Sequence, residues 1–404
     1  MFGQSFLVKM PNKSSKLFFK CFFYCAKFLG MTFFKITNKG RLKTSRSVQI
    51  VSILSRLFCL AGFAPYLFEE GFSDIIDVQR LPIRIMAIVQ TFSIIVAILV
   101  CFIFQTIKQK EFISIINRAL DIFHQISSIK ANFEIIGLQV YLVIVLRIFI
   151  NIAMIFSESS RLTDVKMSFN PCYFVFFVLR SYLWFGTLIV VDLLCLGFVV
   201  SSQMYQAIGD KLKVLAKRAE KLENWNCSMT SFRRMQLLCD FSDELEKYAK
   251  IYSEIFKLTN EFHTFIQLFI LFMFYTDFVI LIGNIHHTFL IYMASGSIKW
   301  SLLTISGIQG TQIVFYIFLV DKAVKSSKIP EHINLDLIVS DVEPRWDKSV
   351  DQFLNQLKFQ DLNLDVYGLF RLNNELLLMG FSAIVSYLTI MIQFQMLGFF
   401  KDEV

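Results

Sequence analysis

Residues 375–400 read ELLLMGFSAIVSYLTIMIQFQMLGFF. After Glu375 the stretch carries no charge, and a helix needs roughly 20 mostly apolar residues to cross about 30 Å of hydrocarbon. At about 100° per residue, Ser382, Ser386, Thr389 and Gln393 fall within an arc of roughly 60°. Glu375, Met379, Leu397 and Phe400 share that face, and around it lie Leu376, Leu377, Phe381, Ile384, Val385, Leu388, Ile390, Met391 and Ile392. Polar groups turned to lipid cost free energy, so the stripe faces protein or water. Two readings stand: a helix–helix contact joined by hydroxyls and an amide, or one wall of a water-filled pore that only several copies around an axis can enclose.

Six earlier segments have the same length and apolar character: about 47–68, 84–107, 136–157, 172–203, 262–285 and 299–320. The first is the weakest, with Arg56 in mid-span and Pro65 near its end. The whole chain fits this reading. Hydrophobic residues make up 55% and charged residues 18%, against about 25% charge in soluble domains. Six prolines and 16 glycines in 404 residues leave room for long helices. The expected fold class is all-α, a membrane protein of seven transmembrane helices. No signal peptide is expected, because lysines break each apolar run near the N-terminus.

Cations set the orientation. Residues 1–46 hold ten Lys and Arg and no acid, and the stretches 108–135, 204–261 and 321–374 hold a further 21. The alternate stretches 69–83, 158–171, 286–299 and the tail from Lys401 hold five. The positive-inside rule then places the N-terminus in the cytoplasm and, with seven spans, the C-terminus outside. The net charge of +8 is assigned to these inner loops and not to nucleic acid. Of the eight cysteines only Cys172 lies near the outer face, so no extracellular disulfide framework is expected.

Residues 1–46 are expected to form a cytoplasmic or interfacial segment, in which 13–34 make an amphipathic surface helix with Lys13, Lys16, Lys20 and Lys27 on one stripe. Spans one to four occupy 47–203. In 204–261, Ile208, Leu212, Leu215 and Leu222 make one apolar seam, and Leu238, Phe241, Leu245, Tyr248, Tyr252 and Ile255 make another. These extend helices four and five into the cytoplasm as a pair. Spans five and six occupy 262–320. Residues 321–374 are a cytoplasmic loop, polar over 323–344, with a short amphipathic helix from about Arg345. Residues 375–404 are the last helix and an extracellular tail.

The outer halves of spans three to six gather Arg147, Asn151, Tyr173, Arg180, Tyr182, Trp184, Asp277, Asn284, Trp300, Thr304 and Gln309. Aromatic walls with a few polar groups suit a small-molecule pocket, and intramembrane charges face inward. Asp277 paired with one arginine as a structural bridge is the plainer alternative, and interface belting is the plainer one for Trp184 and Trp300. Asp192, deeper in span four, is expected to make a structural contact. Adjacent His286 and His287 point about 100° apart on a helix and lack further ligands, so no metal site is expected. No cofactor motif and no nucleophile–base constellation appears, so an enzyme is not expected. The orientation and the lack of Asp-Arg-Tyr and Asn-Pro-x-x-Tyr motifs disfavour a G-protein-coupled receptor, and the lack of repeats disfavours a transporter.

Residues 386–394, Ser-Tyr-Leu-Thr-Ile-Met-Ile-Gln-Phe, resemble the last-helix signature of insect gustatory receptors: Thr-Tyr, five mostly hydrophobic residues, then Gln-Phe. Tyr387, Gln393 and Phe394 match, and Ser386 keeps the hydroxyl of the threonine it replaces. Residues 368–377 resemble the family's lead-in to that helix. Ser386–Thr389 is also similar to the sister family of insect odorant receptors, and Gln393-Phe394 favours the gustatory one. The resemblance implies a ligand-gated, non-selective cation channel in the plasma membrane of chemosensory neurons. It implies a homotetramer, or a heteromer with related receptors, in which inner parts of helices four to seven anchor the subunits. It also implies a central pore lined by Ser382, Ser386, Thr389 and Leu397, a gate at Gln393 and Phe394, and Tyr387 packed behind that gate. The ligand is expected to be a small tastant bound in the outer half of helices two to six. The family's sugar branch carries an acid where Leu388 stands here, so a bitter-type compound is expected over sugar.

Overall fold

The structure is a computed structural model, and it describes residues 34–37, 41–66, 81–130, 138–164, 171–224, 230–296, 298, 300–333 and 343–401. Nine α-helices are seen among these residues: α1 (Arg46–Tyr66), α2 (Leu81–Ile107), α3 (Gln109–Ile129), α4 (Leu138–Asp164), α5 (Pro171–Asn224), α6 (Ser231–Ser295), α7 (Trp300–Ser327), α8 (Pro344–Phe359) and α9 (Asn374–Lys401). Five stretches are long and apolar enough to cross a membrane: Ile88–Ile107, Ser181–Leu222, Ser231–Met293, Trp300–Ser327 and Asn374–Gln393; Val140–Met154 in α4 is a shorter apolar one. The protein is a multipass membrane protein.

Helices α5 and α6 dominate the architecture. At 1.5 Å per residue they run about 80 and 100 Å, roughly three times the hydrocarbon thickness. Beyond their apolar stretches they stay paired, because the two seams read from the sequence face each other: Leu212, Leu215, Leu245 and Ile255 are fully buried. Tyr205 and Tyr252 meet edge to face at 5.4 Å. Higher up, Gly197 lets α5 approach α6 so closely that a Cβ there would lie 2.4 Å from the Phe262 ring. Helix α8 closes this core. Its indole Trp346 is fully buried against Phe241, and Gln356 Nε2 donates to the Ala249 carbonyl of α6 at 2.9 Å. Helix α7 packs on both α5 and α6, α4 on α5 and α7, and α1 on α5.

Several expectations are corrected. Residues 108–135 are not a loop over their described part: α3 is an amphipathic helix whose Ile113, Ile122, Phe123 and Ile126 are buried and which packs on α6. Its cations, such as Arg118 paired with Glu261, occupy the outer face. Residues 323–327 are the last turn of α7, followed by a short 3-10 turn, Ile329–His332. The chain is not purely α-helical. The antiparallel pair β1 (Phe34–Ile36) and β2 (Leu42–Thr44) is held to α3 by Asn117, which bonds both the Leu42 amide (2.9 Å) and its carbonyl (3.0 Å). The expected surface helix over 13–34 lies outside the described residues except for Phe34, which is in β1.

A second antiparallel pair, β3 (Asp365–Val366) and β4 (Phe370–Arg371), lies in the expected loop just before α9. Tyr367 and Gly368 both have positive φ, and Leu369 N–H bonds the Val366 carbonyl at 2.9 Å, a tight turn that favours glycine. The Asp365 carbonyl accepts from Gln267 Nε2 at 3.0 Å and contacts His263 Nε2 at 2.8 Å, so this hairpin is riveted to α6 just ahead of the last helix.

Candidate ligand chamber and the last helix

Helix α9 packs on α6 and α7 along one side only. Leu377, Gly380, Ile384, Leu388 and Met391 are partly covered, whereas Ser382, Ser386, Thr389 and Gln393 are exposed. On a helical projection the covered row and the polar row lie on nearly opposite faces. Two of its hydroxyls are satisfied locally: Ser386 donates to the Ser382 carbonyl at 2.9 Å and Thr389 to the Val385 carbonyl at 2.8 Å. Tyr387 is half exposed and sets its ring edge to face against Phe278 of α6 at 6.3 Å. At the foot of the helix, Asn374 Nδ2 donates to Asp321 of α7 at 3.2 Å. The side chains of Phe394 and Leu397 lie outside the described residues.

The intramembrane polar residues divide into separate sites. Arg147 of α4 is 2% exposed, and its Nε pairs with Asp192 of α5 at 2.5 Å. Asn151, one turn along, donates to the other Asp192 oxygen at 2.7 Å. The direct partner of Arg147 is thus Asp192 and not Asp277, because α4 and α5 lie side by side and α6 stands behind them. Asp277 of α6 is buried as well, and Arg147 acts on it through space without contact. The terminal guanidinium nitrogens of Arg147, the Asn151 and Gln309 amide oxygens, Gln312 Nε2 and the Tyr316 hydroxyl are all buried without a hydrogen-bond partner. A cavity of ≈ 30 Å³ opens between α5, α6 and α7, lined by Asp277, Gln312 and Tyr316 with apolar neighbours including Val191, Phe269 and Phe274.

Tyr182 belongs elsewhere. Its hydroxyl is 3.3 Å from Ser55 of α1, and it lines a second small cavity with Arg56, Cys101 and Thr187. Trp300 is 71% exposed, and the exposed Thr304 hydroxyl bonds the Trp300 carbonyl of its own helix at 2.8 Å, so both turn away from the bundle as belt positions do. The side chains of Tyr173, Arg180 and Trp184 lie outside the described residues. Gln312 and Tyr316 were missed in the sequence; they follow Gln309 at helical spacing on α7, which is the signal that finds them. Among the described residues no cluster of three His, Cys, Asp or Glu side chains is placed to hold a metal.

The model of the 7tm chemosensory receptor family matches residues 19–398. Gustatory receptor for bitter taste 93a of Drosophila melanogaster is 32% identical over 325 residues, which cover 78% of this chain and 76% of that protein. Putative gustatory receptor 93b of the same organism is 21% identical over 407 residues, covering 95% and 94%. Among solved structures, an insect olfactory receptor from Machilis hrabei matches with a TM-score of 0.58 at 10% identity, covering 93% of this chain and 99% of that one. Its complex with eugenol matches with a TM-score of 0.57 at 12% identity, covering 94% and 98%. At such identities the likeness is one of fold.

Proposed function

This chain belongs to the 7tm chemosensory receptor family, as a gustatory receptor, and we propose that it acts as a ligand-gated, non-selective cation channel for a small bitter-type tastant. One observation carries the reading: the polar stripe of α9 lies opposite the face by which α9 packs on its own chain. The Ser386 and Thr389 hydroxyls bond their own backbone, but the exposed Gln393 amide in the same row is costly against lipid at membrane depth and calls for water or another subunit. Four copies about an axis would turn these stripes into a common wetted wall.

On this reading α1, α2, α4, α5, α6, α7 and α9 are the seven spans, with the N-terminus in the cytoplasm and the C-terminus outside. The paired ends of α5 and α6 across 204–261, together with 321–374 and its helix α8, form the cytoplasmic anchor that holds four subunits together. Ser382, Ser386 and Thr389 line the pore with Leu397, Gln393 and Phe394 form the gate, and Tyr387 transmits movement from Phe278 to α9. The tastant occupies the outer halves of α4 to α7, with Asn151 and Gln309 among its polar contacts and Arg180 and Trp184 toward the outside. The bitter class rests on the relative at 32% identity and on Leu388. The Machilis hrabei receptor was solved with eugenol, so eugenol belongs in the first panel of probes.

The test is to express the chain alone in a non-neuronal cell and record whole-cell current under bitter compounds, sugars and eugenol. A cation current evoked by a bitter compound is expected, and Gln393→Ala is expected to change its gating. An evoked current that Gln393→Ala leaves unaltered would remove the gate assignment. A current evoked only by sugars would remove the bitter assignment.

A further inference from the structure

The register of the β1–β2 hairpin sets Lys35 directly opposite Lys43, between the pairs Phe34–Thr44 and Ile36–Leu42. Residues opposed in this way have Cβ atoms about 4.5–5.5 Å apart, and like charges so placed repel each other. Strand alternation puts both lysines on the face away from Phe34 and Ile36, and both are exposed. The hairpin is nevertheless fixed in place. Asn117 of α3 bonds the Leu42 amide and carbonyl, Arg41 pairs with Asp121 at 2.6 Å, and the Phe34 ring lies 6.4 Å from Phe112.

No acid nearby answers the lysine pair. Residues 1–46 contain none. Both acids of α3 are engaged, Asp121 by Arg41 and Glu111 by Lys108 at 3.1 Å. Among the described residues, no ion-pair partner is seen for Lys35, Lys43 or the exposed Arg46 that opens α1. The missing complement is an anion from outside the chain. Its source follows from depth. The apolar stretch of α2 ends at Ile107, and at 1.5 Å per residue Phe112 lies about 8 Å beyond it. The polar headgroup layer is about 5–8 Å thick on each side of the hydrocarbon. The open end of the hairpin, joined to α1 and touching Phe112, therefore stands at headgroup level. Two ammonium groups converging on one spot match a dianion, and a phosphate monoester supplies a charge of about −1.5 to −2 with three acceptor oxygens.

We propose that Lys35 and Lys43, together with Arg46, clasp the phosphomonoester headgroup of an anionic phospholipid in the cytoplasmic leaflet. The choice of leaflet rests on the cytoplasmic N-terminus proposed above; the clasp itself does not. The bound phosphate cancels the lysine–lysine repulsion and steadies the hairpin on α3. Contact continues inward from there, since Phe112 stacks on Phe265 of α6 at 6.1 Å. The lipid thus braces α3 against the longest helix of the bundle.

The purified full chain in mild detergent is titrated with short-chain phosphatidylinositol 4-phosphate, short-chain phosphatidylserine and inorganic phosphate. One saturable phosphatidylinositol 4-phosphate site per chain is expected, with much weaker binding of the other two. Lys35→Ala with Lys43→Ala should weaken it about 30-fold, and Lys35→Arg with Lys43→Arg should keep it. Lys35→Glu sets an acid opposite Lys43. That variant should melt higher than the wild type without lipid, and should lose the upward shift that the lipid gives the wild type. Equal binding of phosphatidylserine would reduce the clasp to general surface charge and overturn the proposal. So would inorganic phosphate binding as tightly as the lipid, or an unchanged affinity in the double alanine variant. Topology is read apart from binding, by labelling Lys43→Cys with a membrane-impermeant thiol reagent in intact and in permeabilised cells. Labelling above the wild-type background only after permeabilisation is expected; labelling in intact cells would overturn the cytoplasmic leaflet.

Discussion

Replacing Arg147 by Met removes the cation that serves both buried carboxylates. Its side chain is 3% exposed and that of Asp192 8%, with 2.5 Å between them, so neither regains solvation when the other is lost. Breaking such a pair by removing one partner costs about 3–5 kcal/mol. Asp192→Asn should cost less, about 1.5–3 kcal/mol, because the amide keeps the shape and the contact to Asn151 while Arg147 still balances Asp277. Replacing both partners with apolar groups, Arg147→Met with Asp192→Leu, should recover much of the loss, since well-packed apolar substitutes for a buried pair are often neutral or better. Equilibrium unfolding in mixed detergent micelles, followed by tryptophan fluorescence, gives the three differences and hence the coupling. An Arg147→Met cost below about 1 kcal/mol would match a solvated pair and refute the buried arrangement. A double variant as damaged as the two single costs added together would refute the coupling.

Gly197→Ala puts a Cβ 2.4 Å from the Phe262 ring and should destabilise by about 1–3 kcal/mol through overpacking, read in the same unfolding assay. Trp346→Ala empties a fully buried position; a loss of about 3–5 kcal/mol is expected, with faster amide hydrogen exchange across Pro344–Phe359 as α8 loosens. Tyr367 adopts a φ of 50°, so Tyr367→Gly should be neutral or stabilising by a few tenths of a kcal/mol, whereas Gly368→Val, at a φ of 71°, should cost about 1–2 kcal/mol; thermal melts separate the two.

The long helices were legible because their signals are local and repeated. The seam Leu238, Phe241, Leu245, Tyr248, Tyr252 and Ile255 declares one face of α6, and the structure buries every one of these residues. Helix α8 starts at Pro344, one residue before the expected Arg345, and its apolar face, Val350, Phe353 and Leu357, is buried. Helix α3 is hard to read because its cations give it the composition of a loop, although Ile113, Ile122 and Ile126 make a buried apolar face. The hairpins were hidden for another reason: pairing of two- and three-residue strands is decided by tertiary partners, here Asn117 for one and His263 and Gln267 for the other. In the polar interior, composition named Arg147 and Asp277 but not the pairing. Whether Arg147 meets Asp192 or Asp277 depends on how α4, α5 and α6 are rotated about one another, which no single-helix pattern contains.

The most direct test concerns the face of α9. Single cysteines at Ser382, Ser386 and Thr389, and at Ile384, Leu388 and Met391, are exposed to a membrane-impermeant cationic thiol reagent during tastant-evoked current. A pore lined by the polar stripe requires block at the first three positions and none at the second three, which pack against α6 and α7. Reaction on the packed face, or an evoked current indifferent to reagent at all three stripe positions, would contradict α9 as the pore wall.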